Sequence, residues 1–415
     1  MNTAWPAAPL EAICDRITVG HVGPMASEYV DDGIPFLRSQ NIKPFAIDVQ
    51  DLKFISPSFH RKLKKCALGA GDVVIVRTGY PGTAAVVPPS LGEANCADLV
   101  VITPGPTLNA YFLAAIFNST WGADSVKGRL VGSAQQHFNI GAARRMEIRL
   151  PPLTVQQKIA SVLSAYDDLI DNNNRRIRVL EEMAQRIYRE WFVDFRYPQH
   201  ENDRSVESRV GPIPVGWEIL PLAEIVDEVR DGISASDATR SRPYVPIDCI
   251  SSQSLVLTQW KPGDLAASSL VSFRRGEVLF GAMRPYFHKV ALAPFNGTTR
   301  TTCFVLRPKQ PFSYGYSVMT LFDEETVAYA TAHASGTTIP YARWSGALGT
   351  KPTLWPDRGT LHRFDEAVTP ILSWLTDAGL RIANLRETRD LLLPRLISGR
   401  IDVAGLEIAV NQDAA

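Results

Sequence analysis

The chain has 415 residues, with 43 basic and 43 acidic side chains and no formal net charge. That balance excludes a protein that grips nucleic acid by bulk charge, while leaving local basic faces open. At 45% hydrophobic and 21% charged, without a low-complexity tract, the composition fits a globular chain of two or three domains.

Residues 1–105 read as short strands broken by Gly, Pro and Asn. Ile34-Pro35-Phe36-Leu37 is a buried-strand candidate. Leu68 to Val87 reads as a hairpin: a Gly71-Asp72 turn, the strand Val73-Val74-Ile75-Val76, a Gly79-Tyr80-Pro81-Gly82 turn, and a return from Ala84. Thr107 to Val126 has helical spacing, a polar loop follows from Lys127 to Asn139, and a last strand spans Met146 to Leu150.

Thr154 to Arg196 then reads as one long helix. Ile159, Leu163, Tyr166, Ile170, Asn173, Ile177, Leu180, Ala184, Ile187 and Trp191 alternate steps of 4 and 3, the heptad period of a coiled-coil seam. Pro151-Pro152 sits where a helix can begin, and Thr154 with Gln157 reads as a capping box. At about 1.5 Å per residue the seam is roughly 48 Å long. Alone, its apolar stripe would be wet, so it needs a partner.

The chain supplies that partner. Beyond a hydrophilic linker, the same plan returns 205 positions later: Gly276-Glu277-Val278 repeats Gly71-Asp72-Val73, and Val278-Leu279-Phe280 stands for Val73 to Ile75. Val245-Pro246-Ile247 is strand-like, Arg284-Pro285-Tyr286-Phe287 replaces the Gly-rich turn, Tyr314 to Ala332 is helical, and Ser335 to Trp344 mirrors the polar loop. The shifted seam becomes Phe364, Val368, Ile371, Leu375, Ala378, Ile382, Leu385, Arg389, Leu392 and Leu396, on a helix expected from about Leu361 to Leu393. Arg389 interrupts the stripe, Pro370 predicts a kink or the true helix start, and Pro394 and Gly399 predict its end. This is an internal duplication.

Leu150-Pro151-Pro152-Leu153, Gln156-Gln157-Lys158-Ile159, Leu163-Ser164-Ala165-Tyr166-Asp167-Asp168, Asn172-Asn173-Asn174-Arg175-Arg176, Trp191-Phe192-Val193-Asp194-Phe195 and Leu391-Leu392-Leu393-Pro394-Arg395-Leu396-Ile397-Ser398-Gly399 together resemble the specificity subunit of Type I restriction–modification systems. Leu354-Trp355-Pro356-Asp357-Arg358 departs from the family's second proline-rich entry. The resemblance implies an α+β chain: a first target-recognition domain (1–150), a first spacer helix (151–197), a linker and second recognition domain (198–357), and a second spacer helix with a tail (358–415). The helices would form an antiparallel coiled coil with pseudo-two-fold symmetry. It also implies a non-catalytic reader of a bipartite, asymmetric double-stranded DNA target. This reader would recruit two copies of the methylase subunit and the restriction subunits, with S-adenosylmethionine, ATP and Mg bound on those partners and no cofactor in this chain. A Type II-like system with a fused methylase/nuclease partner, and a coiled-coil scaffold that binds no DNA, are the alternatives.

Base reading favours Arg for guanine and Asn or Gln for adenine, with cations and hydroxyls on phosphates. The candidates are Arg38, Gln40 and Asn41; Arg77, Thr78 and Tyr80; and Lys127, Arg129, Ser133, Gln135, Gln136 and His137 in the first domain. In the second they are Arg284, Tyr286, His288 and Lys289, then Thr337, Thr338, Tyr341 and Arg343. Arg61, Lys62, Lys64 and Lys65 read more simply as a solvated face, and Gly79 to Gly82 lacks the strand–GxxxxGK–helix context of a phosphate loop. The five cysteines form no CxxC and the seven histidines no ligand spacing, so neither zinc nor another metal is expected. With no charged-then-apolar leader and no apolar run of about 18 residues, a cytoplasmic protein is expected.

Overall fold

A computed structural model describes residues 5–130, 137–199, 204–209, 211–233, 241–266 and 270–409. The chain divides into two compact units, 1–169 with 385–415, and 170–384.

At the centre of the first unit is an antiparallel sheet of β1 (Cys14–Val19), β2 (Val73–Val76), β3 (Ala84–Val86) and β4 (Leu99–Pro104), in the order β1-β4-β2-β3. Val73, Ile75, Val100 and Ile102 share a core with Phe112 and Ile116 of α1 (Ala110–Asn118), whereas Val74, Val76 and Val101 share another with Leu37, Ile42 and Leu68. Burial on both faces explains why β2 is an unbroken apolar run. The predicted helix over Thr107–Val126 is two helices, because Ser119 leaves the helical path and caps α2 (Thr120–Lys127) by accepting from Gly122 N. The long helix α3 (Leu153–Phe192) follows.

The second unit repeats the sheet with β5 (Val226–Val229), β6 (Val278–Gly281), β7 (Val290–Leu292) and β8 (Cys303–Pro308), in the order β5-β8-β6-β7. Register repeats as well as topology. Val73 faces Ile102 and Ile75 faces Val100; in the second sheet Val278 faces Leu306 and Phe280 faces Phe304. The predicted helix Tyr314–Ala332 is α4 (Tyr314–Phe322) and α5 (Glu324–Ala332), separated by Asp323, whose carboxylate accepts from Glu325 N. Val245-Pro246-Ile247 is not a strand: Pro246 has no N–H for a ladder, and Ile247–Cys249 turns as a 3-10 helix.

The second long helix, α6, spans Arg358–Ile397, and both long helices have 40 residues. In the first unit Ile159 and Leu163 of α3 pack with Leu393, Leu396 and Ile397 of α6. In the second, Trp191 and Phe192 meet Phe364 with ring centroids 5.5 and 4.8 Å apart. The start of one helix thus packs on the end of the other in each unit, which is antiparallel pairing. α6 runs through Pro370 unbroken, correcting the expected kink or start there; Pro370 is exposed. Asp357 caps its start, its carboxylate accepting from Gly359 N (2.8 Å) and Thr360 N (3.0 Å). At the head of α3, Thr154 is already inside a helix that opens at Leu153, so it is not the cap.

Ile159, Leu163, Ile170, Ile177, Val368, Leu375 and Ile382 are buried as the heptad spacing requires. The pattern slips elsewhere. Leu180, Ile187, Leu385 and Leu392 are only half-buried, and Tyr188, Phe192, Leu372 and Leu393 take the interior positions. An α-helix drifts about 20° per heptad from a 3.5-residue repeat, and these helices also support globular domains, so a strict seam cannot hold.

Candidate DNA-reading faces

In both units the sheet projects a hairpin tip beside one loop. Phe138 N donates to Arg77 O at 3.1 Å in the first unit, and the equivalent Ala342 N donates to Ala282 O at 2.8 Å in the second. The end of β2 or β6 and the loop after the helical pair therefore share one rim.

In the first unit much of the expected polar set is engaged internally. Asn41 is 2% exposed; its Nδ2 donates to Asp48 O (3.1 Å) and Asp51 O (3.2 Å), and its Oδ1 accepts from Arg38 N (2.9 Å). Arg38 donates to Asp51 O (2.7 Å), and Gln40 Nε2 to Asp51 Oδ2 (2.7 Å). Arg77 pairs with Asp98 at 2.6 Å and donates to Phe138 O, while the Thr78 hydroxyl donates to the other Asp98 oxygen at 3.1 Å. This corrects the reading of Asn41, Arg77 and Thr78 as presented contacts: their polar atoms build the loops. Outward-facing groups are Tyr80 at the hairpin tip, 84% exposed, and Lys127 and Arg129 at the end of α2. Gly82 lies against Val126 of α2, which sets that tip beside Lys127. His137 is half-buried, and Ser133, Gln135 and Gln136 lie outside the described residues.

In the second unit Arg284 is exposed, and its backbone N donates to Pro340 O at 2.8 Å, tying the tip to the loop that carries Thr337 and Thr338. Both threonines and Arg343 are exposed. Tyr286 is half exposed. His288 is not presented. It is buried, its Nε2 lies 2.8 Å from Phe322 O, and burial pushes its pKa down, keeping the ring neutral. Lys289 is also drawn inward, donating to Ile247 O at 2.8 Å, and the Tyr341 hydroxyl donates to Thr301 O. Those three are corrected from contacts to supports.

Sequence reasoning passed over two groups. Arg230, just after β5, is well exposed while pairing with Glu228, and lies 3.5 Å from Ser345, two positions beyond Arg343. Asp98 orients Arg77 and Thr78 from a left-handed backbone position (φ 50°), and its only signal was an acid just before an apolar strand. Among the described residues no group of three or more His, Cys, Asp or Glu could hold a metal, and no helix is long and apolar enough to cross a membrane.

Residues 26–182 match the model of the Type I restriction modification DNA specificity domain. The chain is 27% identical over 322 residues to the Type I restriction enzyme MjaIX specificity subunit of Methanocaldococcus jannaschii, covering 74% of this chain and 72% of that one. The chain is thus similar to specificity subunits of Type I restriction–modification systems. It is also 31% identical over 102 residues to the MjaVIII specificity subunit of the same organism, covering 25% of this chain and 23% of that one. The crystal structure of a Type I restriction–modification S subunit from M. genitalium shares the fold, with a TM-score of 0.58 and 12% identity over 95% of this chain and 97% of that one.

Proposed function

We propose that this chain is the DNA-reading, non-catalytic subunit of a restriction–modification complex, with each unit reading one half of a bipartite target. The observation that carries this is the repeated rim: the same strand end and loop are bonded alike in both units, yet carry different outward side chains. Equivalent scaffolds with unlike tips would read unlike half-sites, giving an asymmetric sequence. Lys127 and Arg129 in one unit, and Arg230, Arg284 and Arg343 in the other, supply local positive charge on a neutral chain. Such patches suit phosphate contacts that set register, with base edges read between them.

The partners would be two methylase subunits and the restriction subunits, which would carry S-adenosylmethionine, ATP and Mg. An open apolar groove of about 620 Å³ in the second unit, lined by Val179, Leu180, Pro370, Ile371 and Trp374, supports protein docking on the long helices. A patch of this kind is unusual on a surface without a partner.

The test is binding by the chain assembled with its methylase, on duplexes carrying the sequence methylated in the source genome. Affinity is expected to fall steeply with salt, beyond the methylase alone. Arg284→Ala is expected to lose about 1–3 kcal/mol on one half-site only. Equal loss on both halves, or binding no stronger than the methylase alone, overturns the reading.

A further inference from the structure

The tip of the second unit is apolar as well as cationic. Tyr286 is 50% exposed, Phe287 44%, and Ile339 on the bonded loop 48%. The two rings pack on each other, with centroids 4.7 Å apart and planes tilted by 50°, so they form one blade rather than two loose side chains.

The blade is stiff. It lies between two non-glycine residues in the left-handed region, Arg284 (φ 51°) and His288 (φ 49°). Side chains enter that region at a cost, and such strain persists only where the surroundings over-determine it. They do so here. Phe287 N donates to Arg284 O (3.0 Å), His288 N to Pro285 O (2.8 Å), and Gln253 N to His288 O (2.9 Å), while the buried His288 ring holds Phe322 O. Pro285 is buried beneath the turn. A pre-set aromatic blade that follows the exposed Arg284, with Thr337 and Thr338 on the loop bonded to it, has an apolar edge for base faces and a cation and hydroxyls for phosphates. An apolar side chain presented this way can wedge between stacked base pairs and kink the duplex.

We infer that the Tyr286–Phe287 blade inserts the Phe287 ring between adjacent base pairs of the half-site read by the second unit. This rests on the DNA-reading proposal and deepens it. The first unit has Gly79-Tyr80-Pro81-Gly82 at the equivalent tip, where one ring stands between two glycines of positive φ (84° and 96°). That tip lacks the paired blade, so the kink belongs to one half-site.

The experiment uses the chain assembled with its methylase and target duplexes carrying 2-aminopurine at successive positions in each half-site. Apart from the adenines that the methylase itself flips out of the stack, wild type is expected to raise the fluorescence several-fold at one step of the second half-site and at none in the first. Phe287→Ala is expected to abolish that rise and weaken target binding roughly tenfold to a hundredfold. Phe287→Trp restores both. An unchanged melting temperature for Phe287→Ala, with Phe287→Leu as a milder second variant, keeps misfolding out of the result. The inference is overturned if wild type binds its target without unstacking any step, or if Phe287→Ala keeps the signal. It is equally overturned if Phe287→Ala breaks methylase assembly without DNA, which would make the blade a protein contact. Absence of salt-dependent, target-selective binding by wild type is a different failure, and removes the DNA-reading proposal itself.

Discussion

The two units share a backbone plan and differ in how they stabilise it. In the first, Asp72 is 3% exposed, pairs with Arg16 of β1 at 2.6 Å, and accepts from Thr103 of β4 at 2.5 Å and from Gly69 N at 2.9 Å. In the second, Glu277 stands at the equivalent place, 4% exposed, and accepts from Arg274 N at 2.8 Å in the same way. Its cation comes from elsewhere: Arg307 of β8, at the position of Thr103, reaches it at 2.6 Å. The acid and the turn are retained, and the arginine has moved to the neighbouring strand. A buried carboxylate needs a cation and hydrogen bonds, but nothing fixes which strand provides them.

The contacts between each recognition domain and the long helices differ more. In the first unit Arg389 of α6 pairs with Asp167 of α3, which also accepts from the hydroxyl of the half-buried Tyr111, and Arg389 lies 5.0 Å over the Phe45 ring. In the second unit Glu181 of α3 accepts from Ser254 Oγ and Leu255 N, both at 2.8 Å, while Gly379 of α6 meets the same segment. One domain is held by an ion pair under aromatic rings, the other by a buried acid and a close backbone approach.

These differences can be tested in order of expected size. Glu277→Ala and Asp72→Ala each leave an arginine and a turn N–H without their acceptor, and are expected to destabilise by about 3 kcal/mol, the arginines being partly exposed. Chemical unfolding should show near-equal losses, each confined to its own unit. Unequal losses would mean that moving the arginine changed the strength of the site. Gly379→Ala comes next. A Cβ there would lie 2.5 Å from Leu257 O and 2.9 Å from Val256 Cγ1, so the backbone has to move. Alanine normally favours a helix by about 1 kcal/mol over glycine. Here a net loss of about 2 kcal/mol is expected, read in the thermal melting of the second unit. A gain in stability would show that α6 can shift away from that segment freely.

The repeat was legible because it is written in small, hard-to-replace features: Gly71-Asp72-Val73 against Gly276-Glu277-Val278, and a long stripe at helical spacing. Those features fix register and antiparallel pairing through burial alone. The reading faces were less legible. Arg77 and Asn41 have the residue types of base readers, but whether a guanidinium points to DNA or to Asp98 depends on a residue 21 positions away, brought close only by the sheet. His288 likewise looked like a basic contact until the fold buried it against Phe322. Pro370 misled in the opposite direction, since a proline on an exposed helix face loses one backbone bond without breaking the helix.

The smallest expected effect, and the most discriminating, concerns Glu181. Burial raises its pKa above the ordinary carboxylate value, although Ser254 and the backbone of Leu255 favour the charged form. A carboxyl whose folded pKa is raised contributes stability below its unfolded pKa and loses that contribution as pH rises through the folded value. The charged form of Glu181 is therefore a liability to the second unit, and acidification toward the ordinary carboxylate value relieves it. Glu181→Gln keeps an oxygen to accept from Ser254 and Leu255 N but carries no charge. It is expected to be more stable than wild type at pH 7 by on the order of 1 kcal/mol, with the gap closing as the pH falls toward the ordinary carboxylate value. Melting curves of the two proteins across that range decide the matter. A Gln variant that is weaker at every pH would show that the charge itself holds the 254–257 segment to α3. Asp167→Asn, in the first unit, should behave in the opposite sense, because there the charge faces the Arg389 guanidinium and its loss leaves that cation half-buried and unpaired on the α3 side.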